Sequence, residues 1–561
     1  MQLVRNIMNN GLRYYLIICS AGIIIAFFSI LLVFLYSRLW DFIQIHMSES
    51  IVLLFVFPFL AISIPYVLVR FLADKKKTGS STHVVLEAYH LSNGEVSLRD
   101  TLVKPAAAVL TLGLGGSAGP EGPNLLLGSG IASALSRFFK VQSNLKQRIF
   151  IAGAAAGLAA TFRTPLTAIL FALEIPYKGD LDRRSLMDAL IASIPAYLIS
   201  VFFLGDEVIF SPIGTVQITG YEVALTLILG VICGLYSVFF TKLFSFAENF
   251  TIKLRKKIGN LGLIALGTII LGVSGSISIY SIGVGMHFVN ELVVGAPFSI
   301  TFLLAIILLK TLTTIVTMNF GGIGGLFFPT IIIGAGIGYV FSFATGSEFQ
   351  LMFIAVGMAA LLSGTHKVLL TSTAFVIETL GGIFVIPSLI ATGVSYFISG
   401  KHSFYPLQPV TRQRTEELAI ERFLAKAKML IPEKLKKVTA KDFMTKNPIS
   451  LHEGITVAEA LMILDQNKRR VLPVIDEDSH VIGTVSLENL ACSNVCNDNI
   501  VCDTLIQTAL IVHGEARLES IAELMREKQV THVFVVDDDE KLIGVIARID
   551  LADELIELLA E

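Results

Sequence analysis

Tryptophan occurs once in 561 residues, at Trp40, and cysteine five times. Charged residues make up only 16% of the chain, against about a quarter in an average soluble domain. Each scarcity excludes something. Five cysteines do not make a disulfide scaffold. Three of them, Cys492, Cys496 and Cys502, cluster, but their spacing fits no common zinc pattern and no histidine sits beside them, so they read as ordinary cytosolic thiols. A net charge of −2 without a basic patch gives no footprint for nucleic acid. No nucleophile–base set or metal-ligating cluster stands out, which argues against an enzyme. The scarcity of charge is also uneven: 45 of the 88 charged residues fall in 411–561. The first 410 residues are therefore poor in charge, and the tail is rich in it. The change comes near "KHSFYPLQPVTRQRTEE".

Apolar residues fill the space that charge leaves. They make up 54% of the chain, and the mean hydropathy is +0.73. About 20 apolar residues cross a hydrocarbon core. Residues 14–36 meet that length without a charge, and 51–72 meet it with only Arg70. Further apolar stretches lie near 147–175, 186–204, 221–242, 262–283, 298–318, 326–343 and 351–399. The chain reads as a polytopic membrane protein. The first span is longer than a signal-peptide core and no small-residue cleavage site follows it, so it reads as retained. Arg5 and Arg13 precede this span, and Lys75, Lys76 and Lys77 follow the second. Positive residues favour the cytoplasm, which puts the N-terminus and the 74–80 loop inside.

Two internal repeats follow. "GPEGPNLLLGSGI" (119–131) lies over "GLFFPTIIIGAGI" (325–337) with five of thirteen positions identical. "GAAAGLAATFRTPLTAILFALEI" (153–175) lies over "GMAALLSGTHKVLLTSTAFVIET" (357–379), with Glu174 on Glu378. The offsets, 206 and 204, nearly agree, so the membrane part is duplicated. In transporters, Gly/Pro-broken segments at equivalent places in two halves point to the binding site. Gly128, Gly130, Gly334 and Gly336 fit close helix packing instead. The Gly-x-x-x-Pro clusters mark helix starts. A helix that begins inside a membrane presents free N–H groups and about half a positive charge. Two such ends, at 119–123 and 325–329, can hold an anion without a cationic side chain. A carboxylate beside them, Glu121, can take the anion's place and give it up when displaced or protonated. The tail has its own repeat, "RVLPVIDEDSHVIGTVSLENLA" (470–491) over "THVFVVDDDEKLIGVIARIDLA" (531–552), each reading strand, acidic turn, strand, helix start.

These residues resemble a known family. "GPEGP" resembles the G-K/R-E-G-P motif of CLC chloride channels and chloride/proton exchangers. "GLFFP" matches that family's G-x-F-x-P motif, "FRTPLTAILFALE" (162–174) resembles the segment after the first motif, and "SFYPLQ" (403–408) resembles the region of the pore tyrosine. The paired tail units resemble CBS domains. The resemblance covers nearly the whole chain. It implies an all-α polytopic membrane domain of two inverted repeats of tilted, broken helices, followed by a cytoplasmic α/β CBS pair. The division is a membrane domain over 1–410 with repeats at about 50–205 and 221–400, a linker over 411–440, and CBS units over 441–498 and 499–561. The resemblance also implies a homodimer with a separate pore in each subunit, in a plasma membrane, with both termini cytoplasmic. Carried over by position, Glu121 is the gate, backbone amides near Gly122, Leu326 and Phe327 face the anion, and Tyr405 supplies a hydroxyl. No cofactor is required, and chloride is the transported ion.

Four departures bear on mechanism. The family's G-S-G-I-P motif reads "GSSTH" here, so either Ser80 or Ser81 takes the serine's role, and His83 reads as a loop histidine. Pro120 stands where the family often has Lys or Arg, which weakens anion attraction at the outer entry. Ile175 stands where proton-coupled members carry an inner glutamate, and Ile holds no proton. Neighbouring Glu174 points about 100° away on a helix. The adenine-nucleotide mark of CBS pairs is partial: Ser486 and Asn489 in the first unit, Ala547 and Asp550 in the second. Nucleotide binding and a purely structural dimerising role both stand. The leading expectation is passive chloride permeation gated by Glu121, dependent on voltage or pH and regulated by the CBS pair. Alternatives are proton-coupled chloride exchange, a fluoride-selective variant, and a CBS-linked divalent-cation transporter. The last wants several intramembrane carboxylates, and helix N-termini repel cations.

Overall fold

The computed structural model describes residues 2–47, 50–205, 210, 220–411, 415–467, 469–487, 507–528 and 530–560. The chain divides into two units, Met1–Arg412 and Gln413–Glu561. The first unit is helical except for two short strands, β1 (Gly79–Ser80) and β2 (Ile323–Gly324). Its first half runs α1 (Gln2–Met47), α2 (Leu53–Leu72), α3 (Ser81–Leu91), α4 (Leu98–Gly113), α5 (Glu121–Phe138), α6 (Ser143–Phe162), α7 (Pro165–Glu174) and α8 (Leu186–Leu204). Its second half runs α9 (Gly220–Ile277), α10 (Met286–Val294), α11 (Ile300–Phe320), α12 (Phe327–Thr345), α13 (Gln350–His366), α14 (Leu369–Leu380) and α15 (Val385–Ser399). Gly259, at φ 71°, breaks α9 into two stretches.

The packing repeats along with the sequence. α5 packs on α6, α6 on α7 and α8, and α1 on α6 and α8. Correspondingly, α12 packs on α13, α13 on α14 and α15, and α9 on α13 and α15. The α9 residues that meet α15 include Gly230 and Gly234, in its first stretch. The counterpart of α1 is therefore the first stretch of α9. The first repeat begins at α1 and not near residue 50, the bound expected above. The two helices share no motif, and only their neighbours reveal the match.

The halves meet across a local two-fold. Glu174, at the end of α7, accepts hydrogen bonds from Leu370 N (3.0 Å), Thr371 N (2.8 Å) and Thr371 Oγ1 (2.6 Å) at the start of α14. Glu378, near the end of α14, accepts from Leu166 N (3.0 Å), Thr167 N (2.7 Å) and Thr167 Oγ1 (2.6 Å) at the start of α7. Each carboxylate satisfies orphan N–H groups of the other half's helix and meets the positive end of its dipole. Two helices that exchange ends in this way run antiparallel, as inverted repeats require.

Among the described residues, seven helices are long and apolar enough to cross a membrane. α7 and α14, at 10 and 12 residues, reach only about 15–18 Å. The apolar stretches at 147–175 and 351–399 are thus interrupted, the first between α6 and α7 and the second between α13, α14 and α15. Large apolar side chains lie outside, with Phe202 and Phe397 each 83% exposed. Such a surface suits hydrocarbon, not water.

In the second unit, β4 (Leu451–His452), β5 (Val471–Ile475) and β6 (Val481–Ser486) form one sheet. β3 (Thr445–Lys446) joins β7 (Ile511–His513), β8 (His532–Val536) and β9 (Leu542–Ala547) in the other, in the order β3-β9-β8-β7. The acidic turns of the two sheets touch at a His480–Lys541 bridge. These residues occupy equivalent places in the two tail repeats, so this pair also has a local two-fold. The segment expected as a linker, 411–440, contains the helix Thr415–Leu430. Ile420, Ala427, Leu435 and Ala440 from this region join the core that holds Ile521, Ile546 and Leu555. A charged exterior hid this apolar stripe. Cys492, Cys496 and Cys502 lie outside the described residues.

Candidate functional site

Three helix starts converge in the first unit. β1 pairs in parallel with β2, Gly79 opposite Ile323 and Ser80 opposite Gly324. α3 begins just past the first strand and α12 shortly after the second. Gly119 and Gly325 exchange backbone hydrogen bonds, Gly119 N to Gly325 O at 2.9 Å and Gly325 N to Gly119 O at 2.8 Å, which brings the start of α5 to the same place. The loops are held by threonines: Thr317 Oγ1 accepts from Ser117 N at 3.0 Å and Thr111 Oγ1 from Ile323 N at 3.1 Å.

Glu121 sits at this junction, 1% exposed. Its Oε1 accepts from Phe327 N at 2.5 Å, across the repeat boundary. The carboxylate also faces the amides of Phe328 and of Glu121 itself, while Oε2 completes no hydrogen bond among the described residues. Two glycines make the room. A Cβ at Gly325 would lie 1.9 Å from Oε1, and one at Gly119 would lie 2.0 Å from Oε2. No other residue leaves space for this carboxylate, which is why both positions of the duplicated motif are glycine. A negative group here lies against helix N-termini, and a mobile anion could use the same donors.

Hydroxyls gather beside it. Ser80, Ser81 and Thr82 are buried, and their side-chain oxygens have no hydrogen-bond partner among the described residues. The Tyr405 hydroxyl lies next to those of Thr82 and Ser80, and Tyr405 is within electrostatic reach of Glu121. Gly122 reaches the same cluster: a Cβ there would come within 3.1 Å of Thr82 Oγ1. Leu326 is the N-cap residue of α12. The structure thus brings Glu121, Ser80, Gly122, Leu326, Phe327 and Tyr405 together, with Ser81 adjacent.

The segment around Tyr405 is fixed from three sides. His83 Nε2 lies 3.0 Å from Phe404 O, and its ring is 5.1 Å from that of Tyr405. His83 is therefore a helix residue of α3 that positions the tyrosine, not a loop histidine. Tyr405 N donates to Ser403 Oγ at 3.1 Å, and Ser403 Oγ donates to Gln408 Oε1 at 2.6 Å. Gln408 Nε2 in turn donates to Ile175 O (2.7 Å) and His366 O (3.1 Å). Ile175, the C-cap of α7, is 1% exposed.

A cleft of about 440 Å³ reaches Ser80 and His83. Arg70, Lys75, Lys76, Lys77, Lys104 and Arg255 line it, against only two acids, Glu87 and Glu248. Both acids are engaged, Glu87 by Lys75 at 2.9 Å and Glu248 by Lys77 at 3.0 Å. The remaining positive charge makes this mouth attractive to anions.

Sequence reasoning missed Thr82 and His366. Thr82 was legible as a hydroxyl in the first turn of a helix that starts at the site. His366 was legible only as a polar exception in an apolar repeat. In the tail, Ser486 ends β6 and Asp550 Oδ2 accepts from Ala547 N at 2.8 Å, capping the helix Arg548–Ala560. Asn489 lies outside the described residues. Among the described residues, no cluster of three or more His, Cys, Asp or Glu could hold a metal ion.

Both units resemble known proteins. Residues 440–492 and 497–557 each match the CBS domain. The chain is 29% identical over 307 residues to the voltage-gated ClC-type chloride channel ClcB of Escherichia coli, covering 53% of this chain and 72% of that protein. Among solved structures, it resembles a CLC-type fluoride/proton antiporter (TM-score 0.62, 23% identity, 71% of this chain and 97% of that one). It also resembles a slow cyanobacterial Cl−/H+ antiporter (TM-score 0.60, 20% identity, 69% and 94%). At these identities the solved structures establish the fold, a mostly helical CLC architecture. Residues 59–400 match the family described as voltage gated chloride channel, and the chain belongs to that family of integral membrane anion-transport proteins.

Proposed function

We propose that the protein lets chloride cross a membrane down its gradient, through a pore in which Glu121 is the gate. The observation that carries this reading is the 2.5 Å bond from Phe327 N to Glu121 Oε1 at the junction of three helix starts. The carboxylate holds the place of an anion. When a proton neutralises it, or a competing anion displaces it, the amides near Gly122, Leu326 and Phe327 and the hydroxyls of Ser80 and Tyr405 take the ion. Binding by amides and hydroxyls, without a full cation, leaves the ion free to go on. The cationic cleft concentrates anions at one mouth.

Ile175 supports passive movement over coupled exchange, because no carboxylate stands at the inner place to hand protons on. Coupled exchange is the second reading, favoured by the antiporters among similar structures. In the leading reading the protein works in the cell membrane as a homodimer with both termini cytoplasmic. The CBS pair tunes the gate, with Ser486, Asn489 and Asp550 as its nucleotide contacts. The test is a chloride gradient imposed on proteoliposomes with no initial pH difference, reading chloride and pH together. Chloride should run down its gradient without uphill proton movement. Uphill proton movement of fixed stoichiometry, lost in Glu121→Ala, would make the protein an exchanger.

A further inference from the structure

The cleft that reaches Ser80 and His83 carries more charge than a mouth for chloride uses. Six cations against two acids leave a surplus of four, and a chloride ion brings one charge. A monovalent ion must also be held weakly enough to move on. The cations come from three helices and a loop: Arg70 from α2, Lys75, Lys76 and Lys77 from the segment after it, Lys104 from α4 and Arg255 from α9. Glu87 and Glu248 engage Lys75 and Lys77. Arg70, Lys76 and Arg255 make no ion pair among the described residues.

The fold does not require this charge. Lys104 donates to Lys77 O at 3.2 Å, and its counterpart Lys310 donates to Gly283 O at 2.7 Å, with 27 residues between partners in both cases. That register lays Lys75, Lys76 and Lys77 over Ser281, Ile282 and Gly283, and Arg70 over Ser276. The second repeat thus meets the same need, one backbone carbonyl for one buried lysine, without a cation in the loop. A bias of positive residues toward one side of a membrane explains lysines near helix ends. It does not explain why they surround one concave space together with arginines from two other helices. The cleft has polar capacity to spare as well. Thr251 lines it, is 2% exposed, and its hydroxyl has no hydrogen-bond partner among the described residues. A buried hydroxyl left alone costs stability unless a ligand or water pairs with it.

We propose that this cleft is a binding site for a ligand with two or more phosphate groups, and that the ligand closes the mouth to chloride. A phosphate ester carries up to about two negative charges and three acceptor oxygens. A planar guanidinium pairs with two such oxygens at once, so Arg70 and Arg255 suit two phosphates, and Lys76 adds a point charge. The volume of about 440 Å³ is that of a small-molecule pocket rather than of a site for one small ion. A ligand seated there stands between solution and Ser80. Closure rests on the reading of this cleft as a chloride mouth; binding does not. Soluble polyphosphates and the headgroups of phosphorylated lipids share the required chemistry. Apolar surface adjoins the charge: Ile252 lines the cleft and is 51% exposed, and Phe71, next to Arg70, is 78% exposed.

Calorimetry on the full chain with inorganic tripolyphosphate tests binding, and chloride current in planar bilayers tests closure. Tripolyphosphate on the face onto which the cleft opens should block reversibly, and on the other face it should not. Arg70→Gln and Arg255→Gln should each weaken binding by about tenfold, with the block weakening in step when scored against each variant's own current. Arg255→Lys keeps the charge and loses the fork, so it too should weaken binding, which a diffuse field would not do. The lipid arm compares bilayers containing a bisphosphorylated phosphatidylinositol with bilayers of equal charge made with phosphatidylserine. A lower current with the inositol lipid and no block by tripolyphosphate assigns the site to a headgroup; the reverse assigns it to a soluble ligand, and either supports the site. No binding of tripolyphosphate together with no effect of the inositol lipid overturns the inference. So does binding that all three variants leave unchanged, which places it elsewhere in the chain. Binding that is lost in the variants but never alters the current overturns the closure and the mouth reading, and leaves the site standing.

Discussion

Replacing Glu121 by Gln removes a charge and almost no volume, so the space left by Gly119 and Gly325 still admits the side chain. The energetic change is confined to what the amides hold. In the native protein a carboxylate accepts from Phe327 N at 2.5 Å. A hydrogen bond to a charged group contributes about 1.5–3 kcal/mol, and one between neutral groups about 0.5–1.5 kcal/mol. An incoming chloride therefore competes against an occupant weaker by about 1–2 kcal/mol. Since about 1.4 kcal/mol is a factor of ten, the half-saturating chloride concentration should fall by about 5- to 30-fold. The assay is chloride flux from proteoliposomes as a function of chloride concentration, at several values of pH. Flux through Glu121→Gln should saturate earlier and lose its pH dependence, because the variant mimics the protonated gate at every pH. Half-saturation unchanged within about twofold, with a wild-type pH profile, would refute the idea that Glu121 and the anion share one place.

Other positions give independent checks. Glu174→Ala and Glu378→Ala each remove the acceptor from two helical N–H groups and a threonine hydroxyl, so each should lower thermal stability in detergent by about 1–2 kcal/mol while leaving anion selectivity intact. A large loss in one and none in the other would show that the caps are not equivalent. In the tail, the backbone N–H of His480 holds the Asp476 carboxyl below its ordinary value, and the Asp476 side chain raises His480. The aspartate's contribution is present above its ordinary pKa of about 4 and fades as pH falls through its lowered folded value. The histidine's is present below about 6.5 and fades as pH rises through its raised folded value. Asp476→Asn should therefore reduce hydrogen-exchange protection of the β5–β6 hairpin in the full chain most at mildly acid pH and least at alkaline pH. A pH-independent difference would contradict this. Asp550→Ala removes the acceptor for Ala547 N and should cost the tail about 1 kcal/mol. If the CBS pair binds ATP, ADP or AMP, calorimetry on the full chain should also show weaker binding in this variant; no binding at millimolar ligand in the native chain would leave that cap as the role of Asp550.

Local signals carried the parts of the fold that depend on local physics. Long uncharged runs gave the membrane helices, and Gly-x-x-x-Pro gave the starts of α5 and α12. What stayed hidden depends on partners distant in sequence. α1 belongs to the first repeat because of what it packs against, and no residue pattern in α1 records that. The helix Thr415–Leu430 reads as a charged connector because its buried face is narrow, with Ile420 and Ala427 toward the core. At the site, Glu121 was legible because a carboxylate among glycines in an apolar chain is costly without a purpose. The hydroxyl of Thr82 and the ring of His366 left only weak signals, since threonines and histidines near helix ends are common, and only the meeting of α3, α13 and the Tyr405 segment sets them apart.

The duplication separates what holds the protein from what it does. Where equivalent residues are the same, they serve the frame: Gly119 with Gly325 exchanging backbone bonds, and Glu174 with Glu378 exchanging caps. The buried Lys104 and Lys310 act alike, each donating to a loop carbonyl that precedes a helix start, Lys77 O at 3.2 Å and Gly283 O at 2.7 Å. Where equivalent residues differ, the chemistry begins. Glu121 stands opposite its own counterpart, Phe327, and takes that residue's N–H. A symmetric site would set two carboxylates against each other at the two-fold, and like charges so close cannot both stay ionised. Neither could then act as a displaceable anion, because the pair would retain a proton between them. One carboxylate facing one bare amide avoids that conflict and, in the proposed reading, leaves a single place for which Glu121 and a mobile anion compete. The second difference, Phe162 against His366, lies on the same Phe327 ring. A two-fold frame with an asymmetric centre is what a passage needs when its two mouths face different solutions.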